Sequence, residues 1–190
     1  MQTILPSEFK RGMVLMLDGA PQVLEELHSS GTARSKHKLH GRLRHLLTGR
    51  IGDRVFPENE RVPVAELQTR RVTFSYQQGD TYAFLDAETF EELDLTAGQV
   101  GDRRWYLKEN EEYRALFLEG KLLDIVLPPQ VPLRIVETAP AMKGGSDSTW
   151  KEARLETGLV LMVPLFIEPG ETVRVDTHER KYAGKENVGK

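Results

Sequence analysis

The sequence predicts an all-β protein made of small barrels, and three observations carry that reading. Apolar residues come in short runs closed by turn residues, as at 13–17 followed by Asp18-Gly19-Ala20-Pro21. Other segments alternate apolar and polar residues with period two. No long stretch repeats apolar residues at helical spacing. Many short strands separated by glycine and proline suit small barrels.

The run over 13–17 is expected to pair with 22–27 across the Asp18-Gly19 turn. A polar loop, Ser29-Ser30-Gly31-Thr32-Ala33-Arg34-Ser35-Lys36, follows. Beyond it Leu39, Gly41, Leu43 and Leu47 point one way and Lys38, His40, Arg42 and Arg44 the other. The first set is expected to face a core, leaving a basic stripe outside, before Thr48-Gly49 turns the chain. Residues 72–76 and 82–85 flank Gln77-Gln78-Gly79-Asp80, and residues 113–118 and 122–127 flank Glu119-Gly120-Lys121, so both pairs read as hairpins. Residues 88–93 or 111–114 suit a single helical turn. Three further strands are expected over 133–138, 159–163 and 172–175.

Pro128-Pro129 reads as a junction, because consecutive prolines stop a central strand and stiffen a connection. With a shift of charge near Pro63, it divides the chain into 1–65, 66–128 and 129–190. Each piece is near the lower size for independent folding, so neighbours are expected to pack together. The last residues, 185–190, are expected to fray.

The chain has 190 residues, 39% hydrophobic and 29% charged, enough to bury a core. It contains no cysteine, which rules out disulfides and thiolate metal sites. The N-terminus shows no basic region leading into an apolar stretch. The longest apolar run, 158–167, is broken by Pro164 and falls well short of the ~20 residues of a membrane span. A soluble, cytoplasmic protein is therefore expected.

The net charge of −3 conceals an asymmetry. From His28 to Arg54 seven basic residues face Asp53 alone, a balance of +6, and four of the five histidines lie there. From Glu66 to Pro128 seven basic residues meet thirteen acidic ones, a balance of −6. A basic head on an acidic body suggests a protein that presents one end to nucleic acid.

Catalytic and metal chemistry find little support. His37 and His45 would share a strand face but stand roughly 26 Å apart at ~3.3 Å per residue, and His40 points away, so no metal site is expected. Gly144-Gly145-Ser146-Asp147-Ser148 lacks the second glycine of a nucleophile elbow and the Gly-Lys-Ser/Thr ending of a P-loop. No nucleophile and base converge, so the reading is non-enzymatic and needs no cofactor. Trp105 and Trp150 are expected in a barrel core or at a barrel junction rather than as base-stacking platforms.

The stretch Lys151-x-Ala153-x4-Gly158-x2-Leu161-x-Val163-Pro164-x2-Ile167-x2-Gly170 resembles the C-terminal signature of bacterial translation elongation factor P at every fixed position. Leu17-Asp18-Gly19 with Pro21, Leu46-Leu47-Thr48-Gly49, Tyr82-x-Phe84 with Glu88-Thr89-Phe90-Glu91-x-Leu93, and Glu137-Thr138-Ala139-Pro140 with Lys143-Gly144 look like family segments in the family's order. The resemblance covers essentially the whole chain. It implies an N-terminal SH3-like (KOW-type) barrel and two OB-folds in an L resembling tRNA. It also implies a monomer that binds both ribosomal subunits between the P and E sites and contacts peptidyl-tRNA. There the family promotes peptide-bond formation at proline runs, where the ring fixes φ and makes the nitrogen secondary.

Aligned on Thr48-Gly49, the family's loop tip falls on Arg34, implying a contact to the tRNA acceptor end and a possible site for an arginine-modifying enzyme. The tip, Thr32-Ala33-Arg34, resembles the elongation-factor-P-like paralogue branch. Asp176-Thr177 fits elongation factor P proper, whereas Glu179-Arg180-Lys181-Tyr182-x-Gly184 leans toward the paralogue. Lys36, Lys38, His40, Arg42 and Arg44 are expected to contact RNA, with Lys143, Arg180 and Lys181 as further contacts. The alternative is a general single-stranded RNA-binding OB protein, which would bind free oligonucleotides without a ribosome.

Overall fold

The computed structural model describes residues 2–30, 38–141 and 149–186. In chain order the strands are β1 (Thr3–Ile4), β2 (Val14–Leu17), β3 (Ala20–Ser30), β4 (Lys38–His45), β5 (Ile51–Pro57), β6 (Val62–Pro63), β7 (Gln68–Gln78), β8 (Thr81–Asp86) and β9 (Glu92–Thr96). A short helix α1 (Ala97–Val100) and a 3-10 segment (Gly101–Tyr106) follow. The remaining strands are β10 (Glu112–Leu118), β11 (Lys121–Val126), β12 (Gln130–Thr138), β13 (Trp150–Leu155), β14 (Val160–Pro164), β15 (Thr172–Asp176) and β16 (Lys181–Lys185). The chain is all-β, as expected, apart from the helical stretch over 97–106, which the sequence reading did not anticipate.

The strands form antiparallel sheets in the orders β2-β3-β4-β5, β11-β10-β7-β8-β9 and β14-β13-β12-β15-β16, with the pair β1-β6 beside the first. In the second sheet the edge strands β9 and β11 approach each other, and in the third β14 approaches β16, so both curl into barrels. The β2–β3 and β10–β11 hairpins turn at Asp18-Gly19 and Glu119-Gly120, all four residues having positive φ. This is the two-residue geometry whose twist matches that of the strands it joins.

Each large sheet has an apolar core. Leu15, Leu24, Leu43 and Phe56 fill the first, Val72, Phe84, Leu95 and Phe117 the second, and Leu133, Ile135, Leu155 and Val173 the third. Two seams join them. Val14, Val23 and Leu46 pack on Leu123 of β11. Tyr106 is buried in the third core, with Trp105 and Leu127 against it.

Three local expectations change. Residues 88–93 turn rather than coil into a helix, because the buried Asp86 carboxylate accepts the N–H groups of Glu88 and Thr89 at 2.8 and 3.1 Å. Residues 112–114 are strand, paired with β7. Leu47 is exposed and Leu46 fully buried, because β4 ends at His45 and the period-two pattern ends with it.

Candidate nucleic-acid interface

The sequence-predicted basic stripe lies on β4, and its neighbours set its character. Lys38, His40 and Arg42 project from the outer face of the first sheet and are exposed. Lys38 stands between Ser30 and Pro57, His40 between His28 and Val55, and Arg42 between Glu26 and Asp53. Two carboxylates therefore flank Arg42, and the positive field is strongest at the Lys38 end. Arg34, Lys36 and Lys143 lie outside the described residues.

Arg44 corrects the sequence reading. It shares the parity of Lys38, His40 and Arg42, yet it is only 8% exposed, because the second sheet covers this end of the face. Its Nη2 donates to Asp124 Oδ2 of β11 at 2.7 Å and its Nε to Glu25 Oε1 at 2.5 Å. Arg103 Nη2 lies 2.8 Å from Asp124 Oδ1, so one buried carboxylate holds two guanidinium groups. Burial pulls the Arg44 pKa down, but Asp124 and Glu25 outweigh it and leave it raised. Desolvation leaves Arg103 lowered, against the pull of Asp124. Both groups stay charged in the physiological range. Arg44 joins two sheets and is not available to phosphate.

The same seam explains Thr48-Gly49. Gly49 has φ +75°, and a Cβ built there would lie 1.8 Å from the Gly98 carbonyl oxygen. Only glycine fits this approach. Alongside, Gln99 Nε2 donates to Leu46 O at 3.1 Å, and the Thr96 hydroxyl caps α1 by accepting from Gln99 N. The turn of the first sheet is thus seated on the helical segment that follows the second.

A cleft of about 590 Å3 opens next to this seam, lined by Arg11, Glu26, Arg42, Asp102, Arg103 and His178 among others. The Arg11 guanidinium lies against the His178 ring, with Nη2 2.9 Å from Nδ1. Asp176-Thr177 anchors this corner. The Asp176 carboxylate accepts from Glu179 N at 2.7 Å and His178 N at 2.9 Å, which holds its pKa low. The Thr177 hydroxyl donates to Pro128 O at 2.7 Å, tying the double proline to the third sheet.

Arg180 and Lys181 are exposed at the turn between β15 and β16, far along the chain from the β4 stripe. Lys151, the first fixed residue of the C-terminal signature, is buried, and its Nζ donates to Ala139 O and to Pro140 O at 3.1 Å. Its task is to hold the end of β12. Thr157, just before the signature's Gly158, donates to Trp105 O at 2.7 Å, so Trp105 sits at a seam as expected. Trp150 does not: it is 46% exposed on β13, with its ring edge-on to Tyr182 at 6.3 Å. Among the described residues no group of three or more metal-ligating side chains gathers, and no helix is long and apolar enough to cross a membrane.

Residues 131–185 match the family model "Elongation factor P, C-terminal", and residues 67–125 match "Elongation factor P (EF-P) OB domain". Elongation factor P of Microcystis aeruginosa is 40% identical over 188 residues, covering 96% of this chain and all of that protein. The chain belongs to the elongation factor P family. Elongation factor P of Nostoc punctiforme is 39% identical over the same length and the same shares. Among solved structures, a eukaryotic translation initiation factor 5A from Methanococcus jannaschii covers 66% of this chain and 94% of its own, at 18% identity and a TM-score of 0.48. The family assignment makes the protein a translation elongation factor, and nothing in the described side chains assembles a nucleophile with its base.

Proposed function

We propose that this factor binds the ribosome between the P and E sites, contacts peptidyl-tRNA, and promotes peptide-bond formation at proline runs. The observation that carries the proposal is the end-to-end match to curated elongation factor P proteins at about 40% identity. It acts as a cytoplasmic monomer of three domains, 1–65, 66–128 and 129–190, arranged as an L. Lys36, Lys38, His40 and Arg42 face RNA, Arg34 at the loop tip reaches the tRNA acceptor end, and Lys143, Arg180 and Lys181 make further RNA contacts. Arg34 is also the residue an arginine-modifying enzyme would alter. Such a factor works by orientation, removing part of an entropic barrier without contributing a nucleophile.

The seams support this reading, since a tip can orient a tRNA only if the body behind it is held firmly. In a reconstituted translation system lacking the endogenous factor, the protein should restore a triproline reporter and leave a proline-free control unchanged. Ribosome binding without recovery would overturn the proposal. Co-sedimentation with ribosomes, compared with binding to free oligonucleotides, separates it from the general single-stranded RNA-binding alternative.

A further inference from the structure

We infer that the outer face of β13 and β14, closed on one side by β16, is a stacking site for a base of single-stranded RNA. Its floor is apolar and exposed, made of Trp150 at 46%, Met162 at 50% and Val160 at 39% exposure, with Tyr182 standing edge-on to the Trp150 ring. These side chains line a cleft of about 480 Å3, inside the roughly 300–1,000 Å3 range of small-ligand sites. A sheet exposing this much aromatic and thioether surface is expected to have a partner.

Charge and backbone geometry select the occupant. Arg180 and Lys181 form the rim. Lys181 Nζ is engaged by Glu179 at 3.1 Å, whereas no carboxylate among the described residues pairs with Arg180. Arg180 is held at φ +56°, a conformation that costs a non-glycine residue energy and keeps its side chain at the cleft mouth. Glu152 lies opposite Met162 at the far side of the floor, so an anion is favoured at the Arg180 end and disfavoured at the other. A flat apolar ring on the Trp150 floor with a phosphate at Arg180 satisfies both halves of the site. The second and third strands of a five-stranded barrel, with the loop between its fourth and fifth, are where such folds hold oligonucleotides, and β13, β14 and the 177–180 turn occupy those positions.

The inference rests on the reading of the protein as an RNA-facing factor, but its test needs no ribosome, so the two can fail separately. A 5′-labelled single-stranded RNA hexamer is titrated into the full chain at low salt, with anisotropy and tryptophan emission recorded together. Binding should quench tryptophan emission. Trp150→Ala should weaken binding about tenfold and remove the quench, and Trp150→Phe should retain most of the affinity. Arg180→Gly relieves the strained backbone while deleting the charge, so the fold is kept, and it should weaken binding and reduce its salt dependence. A blunt RNA duplex, with no splayed base, should compete poorly. Three results would overturn the assignment: unchanged affinity in Trp150→Ala, equal binding of the duplex, or self-association that disappears in Trp150→Ala and reveals a second copy as the occupant.

Discussion

Arg44 and Asp124, eighty residues apart, meet at 2.7 Å across the seam between the first two sheets, and neither side chain is more than 10% exposed. Removing one member of such a pair strands the other without solvent, at a cost far above that of a surface salt bridge. Asp124→Ala leaves two buried guanidinium groups without their shared carboxylate and should lose about 3–5 kcal/mol in urea unfolding. Arg44→Met removes a charge at similar volume and should cost less than Asp124→Ala.

Arg42 tests the exposed stripe. Arg42→Ala should weaken ribosome association and lower the slope of log affinity against log salt by about one, the signature of a lost phosphate contact. Glu26→Gln, which removes a carboxylate opposite Arg42, should act in the other direction and tighten binding. A slope unaltered across the salt series in both variants would return these residues to a solvated face.

Arg34 separates positioning from affinity. One exposed charge among several adds little to binding, so Arg34→Ala should hold ribosome affinity within a few-fold while losing most proline-specific stimulation. A loss of about 1.4 kcal/mol in orientation already slows the step tenfold. Arg34→Lys should recover only part of the activity, because an ammonium lacks the planar fork of a guanidinium. The Thr-Ala-Arg tip favours an unmodified arginine, so intact mass of protein from its native host should show no increment at Arg34. A hexose-like increment mapped there would reverse that assignment.

Asp86 supplies a pH dependence with a definite sign. Hydrogen bonds from the Glu88 and Thr89 N–H groups hold its carboxyl below the ordinary carboxylate range, with a smaller contribution from Arg70. A carboxylate of lowered pKa stabilises the fold fully above its unfolded value of about 3.9, and that stability is lost as pH falls through the lower folded value. Thermal melts from pH 6 to pH 2 should therefore fall less steeply for Asp86→Asn than for the wild type, the variant also being less stable at pH 6.

The hairpins were legible because their turns are local: Asp18-Gly19 and Glu119-Gly120 adopt positive φ with little help from the rest of the molecule. Strand β13 was not, since Trp-Lys-Glu-Ala-Arg-Leu carries as much charge as apolar surface and places a tryptophan outside. Strand β16, Lys-Tyr-Ala-Gly-Lys, is short and holds a glycine. In β4 the alternation gave the correct face for Arg44 but not what lies over that face, because Asp124 is distant in sequence. The carboxylates beside Arg42 escaped notice for a related reason: a linear charge count does not see cross-strand neighbours. The Trp150 cleft is likewise assembled from three strands and a turn, and only its Arg180-Lys181 rim was visible as a motif.

Tyr106 precedes the double proline yet is buried in the core that follows it. A fragment excised at residue 129 would therefore carry a hole where Tyr106 belongs and bare the surface covered by Trp105 and Leu127. Anyone producing the C-terminal barrel alone should begin it near Gly101, accepting a foreign strip of helical segment and strand as scaffolding. The seam in the sequence and the seam in the packing do not coincide, and cloning must follow the latter.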